Sequence, residues 1–468
     1  MAPDGASKQP DDGTLVTRVM NVIRDRIGTR NLLAGDRLPS IRGFARQMKV
    51  SNSTVVEAYD RLVAEGVIQA RRGSGFYVAP HTAPLSIARI GPKLDRAIDP
   101  FWVSRQSLDA RPDMLKPGCG WLPADWMPET AIRRALRKLS RADDATLVDY
   151  GTPLGLASLR HFLSRRMAGY GIDAHPDHLL LTESGTQAID MLCRFLIAPG
   201  DTVLVDDPCY FNFQALLRAH RANIVGVPFT ENGPDVGAFA RIAVTTKPRL
   251  YITNSGLHNP TGASLSPMVA HQVLNIAEQH DLIIIEDDIF ADFENTPAPR
   301  LAALGGLERV IHIGSFSKTL SASVRCGYIA ASADWIDGLT DLKIATGFSG
   351  PNLSAELIFA VLKDGTYRKY METLRDRLAR TMTITETRLR NLGITPAINP
   401  DAGLFLWCRL PDHMDAATLA RNALSDGVVL APGNVFSISQ TAGNLMRFNV
   451  AQCQDERIFR VIERALEK

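Results

Sequence analysis

The sequence predicts a two-part chain: a small basic module of helices and a hairpin, then a large α/β body whose mainly parallel sheet is flanked by helices. Three observations predict it. The 468 residues exceed what one hydrophobic core usually supports. From about residue 146 onward, short strand-like runs alternate with helical patterns, the signature of a largely parallel sheet. The net charge of +2 is also unevenly spread: residues 14 to 79 hold eleven Lys and Arg against five Asp and Glu, +6, which leaves −4 elsewhere. A basic module on a mildly acidic body implies an anionic partner for the module.

Composition narrows the class. Apolar residues are 45% and charged residues 22%, the balance of a soluble globular protein. Aliphatic runs such as Leu282 to Ile285 are too short to span a bilayer, and the polar N-terminus has no apolar signal core, so the expected location is cytoplasmic. Six cysteines are scattered without a C-x-x-C pair, which argues against a disulfide framework or a zinc ribbon and fits a reducing compartment. His175 and His178 form an H-x-x-H around Pro176 with no further ligand cluster near in sequence; a solvated turn, not a metal site, is the expectation.

In the basic module, Val16, Val19, Met20, Ile23 and Ile27 lie at helical spacing over residues 14 to 30. Gly35 to Ser40 reads as a turn into a second short helix, about Ile41 to Met48, with Ser40 as N-cap. Ser51-Asn52-Ser53-Thr54 opens a third helix with Val55, Ala58, Tyr59 and Leu62 on its buried face and Gly66 at its end. Two β-prone pieces, Val67 to Ala70 and Phe76 to Val78, are joined by Arg71-Arg72-Gly73-Ser74-Gly75. This order describes a winged helix-turn-helix. Asn52, Ser53 and Thr54 would face a major groove, and the wing arginines would meet phosphates or a minor groove. A small helical bundle with a charged surface is the alternative reading.

The strings Gly35-Asp36-Arg37-Leu38-Pro39-Ser40-Ile41-Arg42, Val50 to Val55, Glu65-Gly66 and Gly73-Ser74-Gly75 resemble the GntR-type DNA-binding domain. The resemblance spans residues 13–79 and implies DNA contacts by Arg42, by Ser53 and Thr54, and by the wing with Arg71, Arg72 and Gly75. The chain departs from that family at Asn52, where arginine is frequent.

Residues 80–115 are punctuated by Pro80, Pro84, Pro92 and Pro100 and read as a linker. Ile87, Leu94, Phe101, Trp102 and Val103 are too apolar for a free tether, so part of it is expected to dock on a body.

In the body, residues 116–468, strands are expected at Leu179 to Thr182, Thr202 to Val205 and Asp281 to Glu286, with a helix through Leu196. Sites in such sheets gather at the carboxyl ends of strands. Ser184-Gly185-Thr186 follows a strand and opens a helix, a place for an anion or an ordinary turn. Asp287 ends a strand, where a carboxylate can pair with a protonated ring nitrogen. Asn259, in His258-Asn259-Pro260-Thr261-Gly262, lies in a tight turn. Tyr210 offers a flat face to an aromatic cofactor or simply packs in the core. Ser315-Phe316-Ser317-Lys318, with Arg325 seven residues on, provides an amine to hold an aldehyde, beside hydroxyls and a guanidinium suited to a phosphate.

Taken in order, Tyr150-Gly151, Ser184-Gly185-Thr186, Pro208-Cys209-Tyr210, Asn259-Pro260-Thr261-Gly262, Asp287, Ser315 to Lys318, Arg325 and Arg447-Phe448-Asn449 resemble fold-type I, class I/II aminotransferases. This implies a body with a smaller α+β subdomain and pyridoxal 5'-phosphate as cofactor. Lys318 would be the Schiff-base lysine, Asp287 the partner of the pyridine nitrogen, Tyr210 the stacking ring, and Asn259 the neighbour of the phenolic oxygen. Ser184, Gly185, Thr186, Ser315 and Arg325 would hold the phosphate, Tyr150 would reach the phosphate of a neighbouring subunit, and Arg447 would clamp a substrate or effector carboxylate. One departure is Phe290, where these enzymes usually place a tyrosine that hydrogen-bonds the cofactor.

The fusion resembles the MocR family of transcriptional regulators. It implies a homodimer that binds double-stranded DNA and senses the cofactor or an amino-acid-like small molecule. An aminotransferase that still turns over is the alternative, and a cofactor-binding scaffold with neither activity is a third.

Overall fold

Residues 14–28, 32, 35–71, 74–79, 103, 106–108, 111 and 113–467 are described by the computed structural model. They divide between two units, Met1–Ser86 and Ile87–Lys468.

In the first unit, α1 (Leu15–Gly28), α2 (Ile41–Met48) and α3 (Asn52–Ala64) precede a hairpin of β1 (Ile68–Arg71) and β2 (Gly75–Val78). The Ser40 cap predicted from sequence is present, and Ser51 caps the third helix as well. The Ser40 side chain accepts from Gly43 N, and that of Ser51 accepts from Thr54 N, each satisfying an amide left free at a helix start. Val19 and Ile23 of α1, Phe44 of α2, and Val55, Ala58, Tyr59 and Leu62 of α3 close one core with Ile68 and Val78. Tyr59 is its centre: the ring meets Phe76 edge-on at 4.9 Å, and the hydroxyl donates to Pro39 O at 2.9 Å. The strands pair antiparallel from Ile68↔Val78 to Arg71↔Gly75, which makes the wing. Arg72 of the predicted wing lies outside the described residues.

The second unit is built on an eight-stranded sheet in the order β3-β10-β9-β8-β7-β4-β5-β6. Its strands are β3 (Leu179–Thr182), β4 (Thr202–Asp207), β5 (Asn223–Thr230), β6 (Gly233–Pro234), β7 (Leu250–Thr253), β8 (Ile283–Asp287), β9 (Val310–Ser315) and β10 (Gly327–Ala330). The pairs from β5 through β4, β7 and β8 to β9 are parallel. β10 runs antiparallel between β9 and β3. Helices cover both faces, which is why the strands are continuous apolar runs without alternation. Leu180, Val203, Ile252, Ile285 and Ile313 point into one core, while Leu181, Leu204, Tyr251 and Ile284 point into the other.

A smaller antiparallel sheet follows in the order β11-β12-β14-β13, from β11 (Thr395–Pro396), β12 (Phe405–Arg409), β13 (Ala431–Pro432) and β14 (Leu445–Asn449). Helices Thr366–Asn391 and Ala416–Ser425 pack beside it. The architecture is the α/β fold of type I with its smaller α+β part. Of the apolar linker residues, Val103 is described and buried, packed with Phe211, Trp407 and Phe436 of the same chain; Ile87, Leu94, Phe101 and Trp102 lie outside the described residues. Among the described residues, no helix is long and apolar enough to cross a membrane.

Candidate functional site

A cavity of about 500 Å³ opens at the carboxyl ends of β3, β7, β8 and β9. It gathers ten of the eleven body residues singled out in the sequence: Ser184, Gly185, Thr186, Tyr210, Asn259, Asp287, Ser315, Lys318, Arg325 and Arg447 all line it. Tyr150 does not. Its side chain is 81% exposed and packs on exposed Phe348 with ring centroids 5.4 Å apart.

One end of the cavity is a cradle for an anion. The helix Gly185–Leu196 begins there, its first amides facing outward with Ser184 as N-cap. Ser315 Oγ donates to Cys326 O at 3.1 Å and accepts from Ser317 N at 3.2 Å, so its position is set by backbone on both sides. Arg325 holds a left-handed φ of 52°, a conformation that arginine adopts at a cost. Gly327 lets β10 pass under the cradle, because a Cβ there would lie 2.6 Å from Ser184 C.

At the centre, Asp287 ends β8 and is nearly fully buried. Burial pushes its carboxyl up to about 6, against the downward pull of the Ile289 amide and the Asn254 side chain. Asn254 was not singled out from sequence. It follows β7, donates from Nδ2 to Asp287 O at 3.0 Å, and leaves its buried Oδ1 without a partner among the described residues. Burial lowers the Lys318 ammonium to about 8, helped by Arg447 and Arg325 and opposed by Cys119 and Asp287. Tyr210 presents its ring from the start of the helix Phe211–Ala219.

At the other end lies Arg447 on β14, 1% exposed. Its Nη1 donates to Asn259 Oδ1 and its Nη2 to Gly118 O, each at 2.7 Å. The guanidinium sits between two rings, 4.4 Å from the Phe405 centroid and 4.7 Å from that of Phe436. Its Nε is buried and without a partner among the described residues, and burial lowers the guanidinium pKa to about 10. No carboxylate pairs with it among the described residues.

The segment Gly118-Cys119-Gly120-Trp121 closes this end and was also missed from sequence. Asn449 Nδ2 ties it down, donating to Cys119 O at 3.0 Å and to Trp121 O at 2.8 Å. A Cβ at Gly120 would meet Arg447 Nη2 at 3.7 Å and Lys318 Nζ at 3.8 Å, so glycine keeps open the space between the two cations. Its only sequence signal was a glycine-rich stretch with neither helical nor strand periodicity. Phe290 lines the cavity as well, held edge-on against Phe405 at 5.5 Å.

In the first unit, Arg42, Asn52, Ser53, Arg71 and Gly75 are exposed, and Thr54 is half-buried. The hydroxyls of Ser53 and Thr54 lie 2.7 and 2.8 Å from Ser51 Oγ, so one residue organises the tip of α3. The Arg71 guanidinium lies 4.4 Å over the Tyr77 ring, a preorganised wing that the sequence alone did not show. His175, from the H-x-x-H, accepts from Asp177 N as the cap of a short turn.

Comparison with known proteins follows this division. Residues 15–78 match the family of bacterial regulatory proteins, gntR family, and residues 123–464 match aminotransferase class I and II. The HTH-type transcriptional regulator YdcR of Escherichia coli (strain K12) is 30% identical over 446 residues, which cover 93% of this chain and 94% of YdcR. Among solved structures, LysN, an alpha-aminoadipate aminotransferase from Thermus thermophilus, superposes with a TM-score of 0.70 at 25% identity over 78% of this chain and 94% of its own. An archaeal alanine:glyoxylate aminotransferase gives a TM-score of 0.72 at 26% identity over 78% of this chain and 93% of its own.

Proposed function

This chain belongs to the aminotransferase class I and II family, joined to a gntR-family module in the MocR-like arrangement of the HTH-type regulators it matches, and on that premise we propose that it is a DNA-binding transcriptional regulator whose body senses pyridoxal phosphate or an amino acid captured with it. The observation that carries the reading is Arg447: a buried guanidinium without a carboxylate partner among the described residues, in the same cavity as Lys318 and Asp287. A cation so placed is costly until a ligand completes it.

The residues fit the cofactor. When bound, pyridoxal phosphate supplies an aldehyde that captures primary amines and a ring that withdraws electrons. Lys318 would hold it through Nζ, which a pKa near 8 leaves partly neutral and nucleophilic at neutral pH. Asp287, ionised above about pH 6, would keep a proton on the pyridine nitrogen. Tyr210 would cover one ring face, and Asn259, whose Oδ1 is taken by Arg447, has its amide nitrogen as a donor for the phenolic oxygen. Ser184, Gly185, Thr186, Ser315 and Arg325 would receive the phosphate. The α-carboxylate of an amino acid would complete Arg447.

Tyr150 and Phe348, exposed by 81% and 66% and packed on each other, offer an apolar surface suited to a second copy of the chain, in which Tyr150 would reach the partner's phosphate. Arg42, Asn52, Ser53 and Thr54 would meet the DNA from the helices, and Arg71, Arg72 and Gly75 from the wing. Regulation is then linkage. A ligand that favours one arrangement of the chain changes DNA affinity by the same coupling energy, typically about 1–3 kcal/mol.

The test is DNA binding at fixed salt, with and without pyridoxal phosphate and a panel of amino acids, for wild type and Lys318→Ala. Ligand-dependent binding in the wild type, lost in the variant while DNA affinity persists, is expected. The absence of salt-sensitive, sequence-selective DNA binding refutes the regulator reading. The lowered pKa of Lys318 also favours a second reading, a working aminotransferase, because an amine near 8 can accept and return a proton. Multiple turnover of an amino acid and a 2-oxoacid, abolished by Lys318→Ala, supports that reading; capture without turnover excludes it.

A further inference from the structure

One cation of the cavity has no task in this reading. Lys116, Lys318, Arg325 and Arg447 line the cavity against a single carboxylate, Asp287. Lys318 and Arg325 serve the cofactor, and Arg447 serves an α-carboxylate. Lys116 remains, half-buried, its ammonium with no hydrogen-bond or ion-pair partner among the described residues.

Its place is on the Arg447 side. Lys116 O accepts from Cys119 N at 3.0 Å, closing the turn whose Gly118 O receives Arg447 Nη2. The Cys119 thiol reflects the same crowding: its burial raises the pKa, and a backbone hydrogen bond with Trp121 and the charges of Arg447, Lys318 and Lys116 pull it down. The other walls here are neutral or apolar, with Val103, Leu108, Trp121 and Phe290 among them. An amino acid whose α-carboxylate rests on Arg447 must point its side chain into space bounded by these groups and one ammonium. A neutral side chain there would leave the ammonium partly desolvated and unpaired, at a cost that an anionic one removes.

We propose that Lys116 is the specificity residue of the site and that the effector is an acidic amino acid, its side-chain carboxylate paired with the Lys116 ammonium. The inference rests on the amino-acid reading of the cavity. The four-carbon stem of lysine reaches over a range of lengths, so the chemistry selected is a second carboxylate and not one chain length.

The test is calorimetric binding of L-glutamate, L-aspartate, L-glutamine and L-asparagine to the cofactor-loaded full chain, comparing wild type, Lys116→Met and Lys116→Arg. Each acid and its amide have nearly the same shape, so their ratio isolates the charge. Wild type is expected to bind at least one acid about ten-fold or more tighter than its amide. Lys116→Met should bring the ratio to within about two-fold, by weakening the acid, and Lys116→Arg should restore it. Equal affinity for acid and amide in the wild type, or a preference that survives Lys116→Met, overturns the assignment while leaving the amino-acid reading standing. If the loaded protein binds none of the four, the assignment falls; if it also fails to bind L-alanine, the amino-acid reading falls with it.

Discussion

Replacing Arg447 by methionine separates effector binding from folding. The side chain is 1% exposed and donates to Asn259 Oδ1 and Gly118 O, with Nε unpartnered. A carboxylate docked on it would gain charge-assisted hydrogen bonds, about 1.5–3 kcal/mol each. Losing about 3 kcal/mol corresponds to on the order of 100-fold weaker binding. The effect on stability has a different sign structure. The folded-state pKa, lowered to about 10 from 12.5, marks a cost to the charged form of roughly 3 kcal/mol, present at every pH below 10 and relieved only above it. Methionine removes that cost but deprives two carbonyl-type acceptors of a donor, about 1–3 kcal/mol each. The terms nearly offset. Arg447→Met is therefore expected to keep the unliganded stability within about 2 kcal/mol of wild type, load the cofactor, and bind L-alanine on the order of 100-fold more weakly by calorimetry. A dissociation constant within about three-fold of wild type, with normal loading, would refute the assignment of Arg447 to the effector carboxylate.

Other outcomes follow from single residues. With Lys318 near 8, about one amine in ten is neutral at pH 7, against about one in three thousand at the ordinary value; cofactor loading followed by absorbance should quicken up to pH 8 and level off there, and a rise that continues to pH 10 would contradict the lowered pKa. Phe290→Tyr places a hydroxyl against the cavity, so the pH at which the bound cofactor's visible band converts should fall, with an unchanged titration counting against contact between this side chain and the ring. Ser51→Ala removes the cap of α3 and the hydroxyl that holds Ser53 and Thr54, which should cost about 1 kcal/mol in thermal unfolding and weaken DNA binding in the same variant. Arg71→Ala should weaken binding across DNA sequences uniformly and lower the salt slope of affinity by about one; a change confined to one operator position would instead make Arg71 a base reader.

Much of the fold was legible because its signals are local. The caps Ser40 and Ser51, the buried face of α3 and the strand ending at Asp287 each depend on residues within one turn or one strand, where hydrogen-bonding geometry and apolar periodicity act directly. Six of the ten body residues that meet in the cavity were legible for a related reason: Ser184, Gly185, Thr186, Tyr210, Asp287 and Ser315 stand at a strand end or helix start, where an α/β sheet turns its polar groups toward one edge. Tyr150 lies apart from that cavity, exposed on its own chain.

What the sequence determined by itself was thus the type and order of elements and the chemistry each could carry. Only the tertiary structure decided that Gly118 and Arg447, 329 positions apart, share a hydrogen bond, that Phe405 and Phe436 enclose the guanidinium, and that Asn254 braces Asp287. It also decided that Lys116, an unremarked residue at the edge of the expected linker, lines the same cavity as Lys318. Local propensity cannot encode such meetings, because they arise where β14 and the segment before the large sheet are brought together by burial of side chains drawn from the whole body.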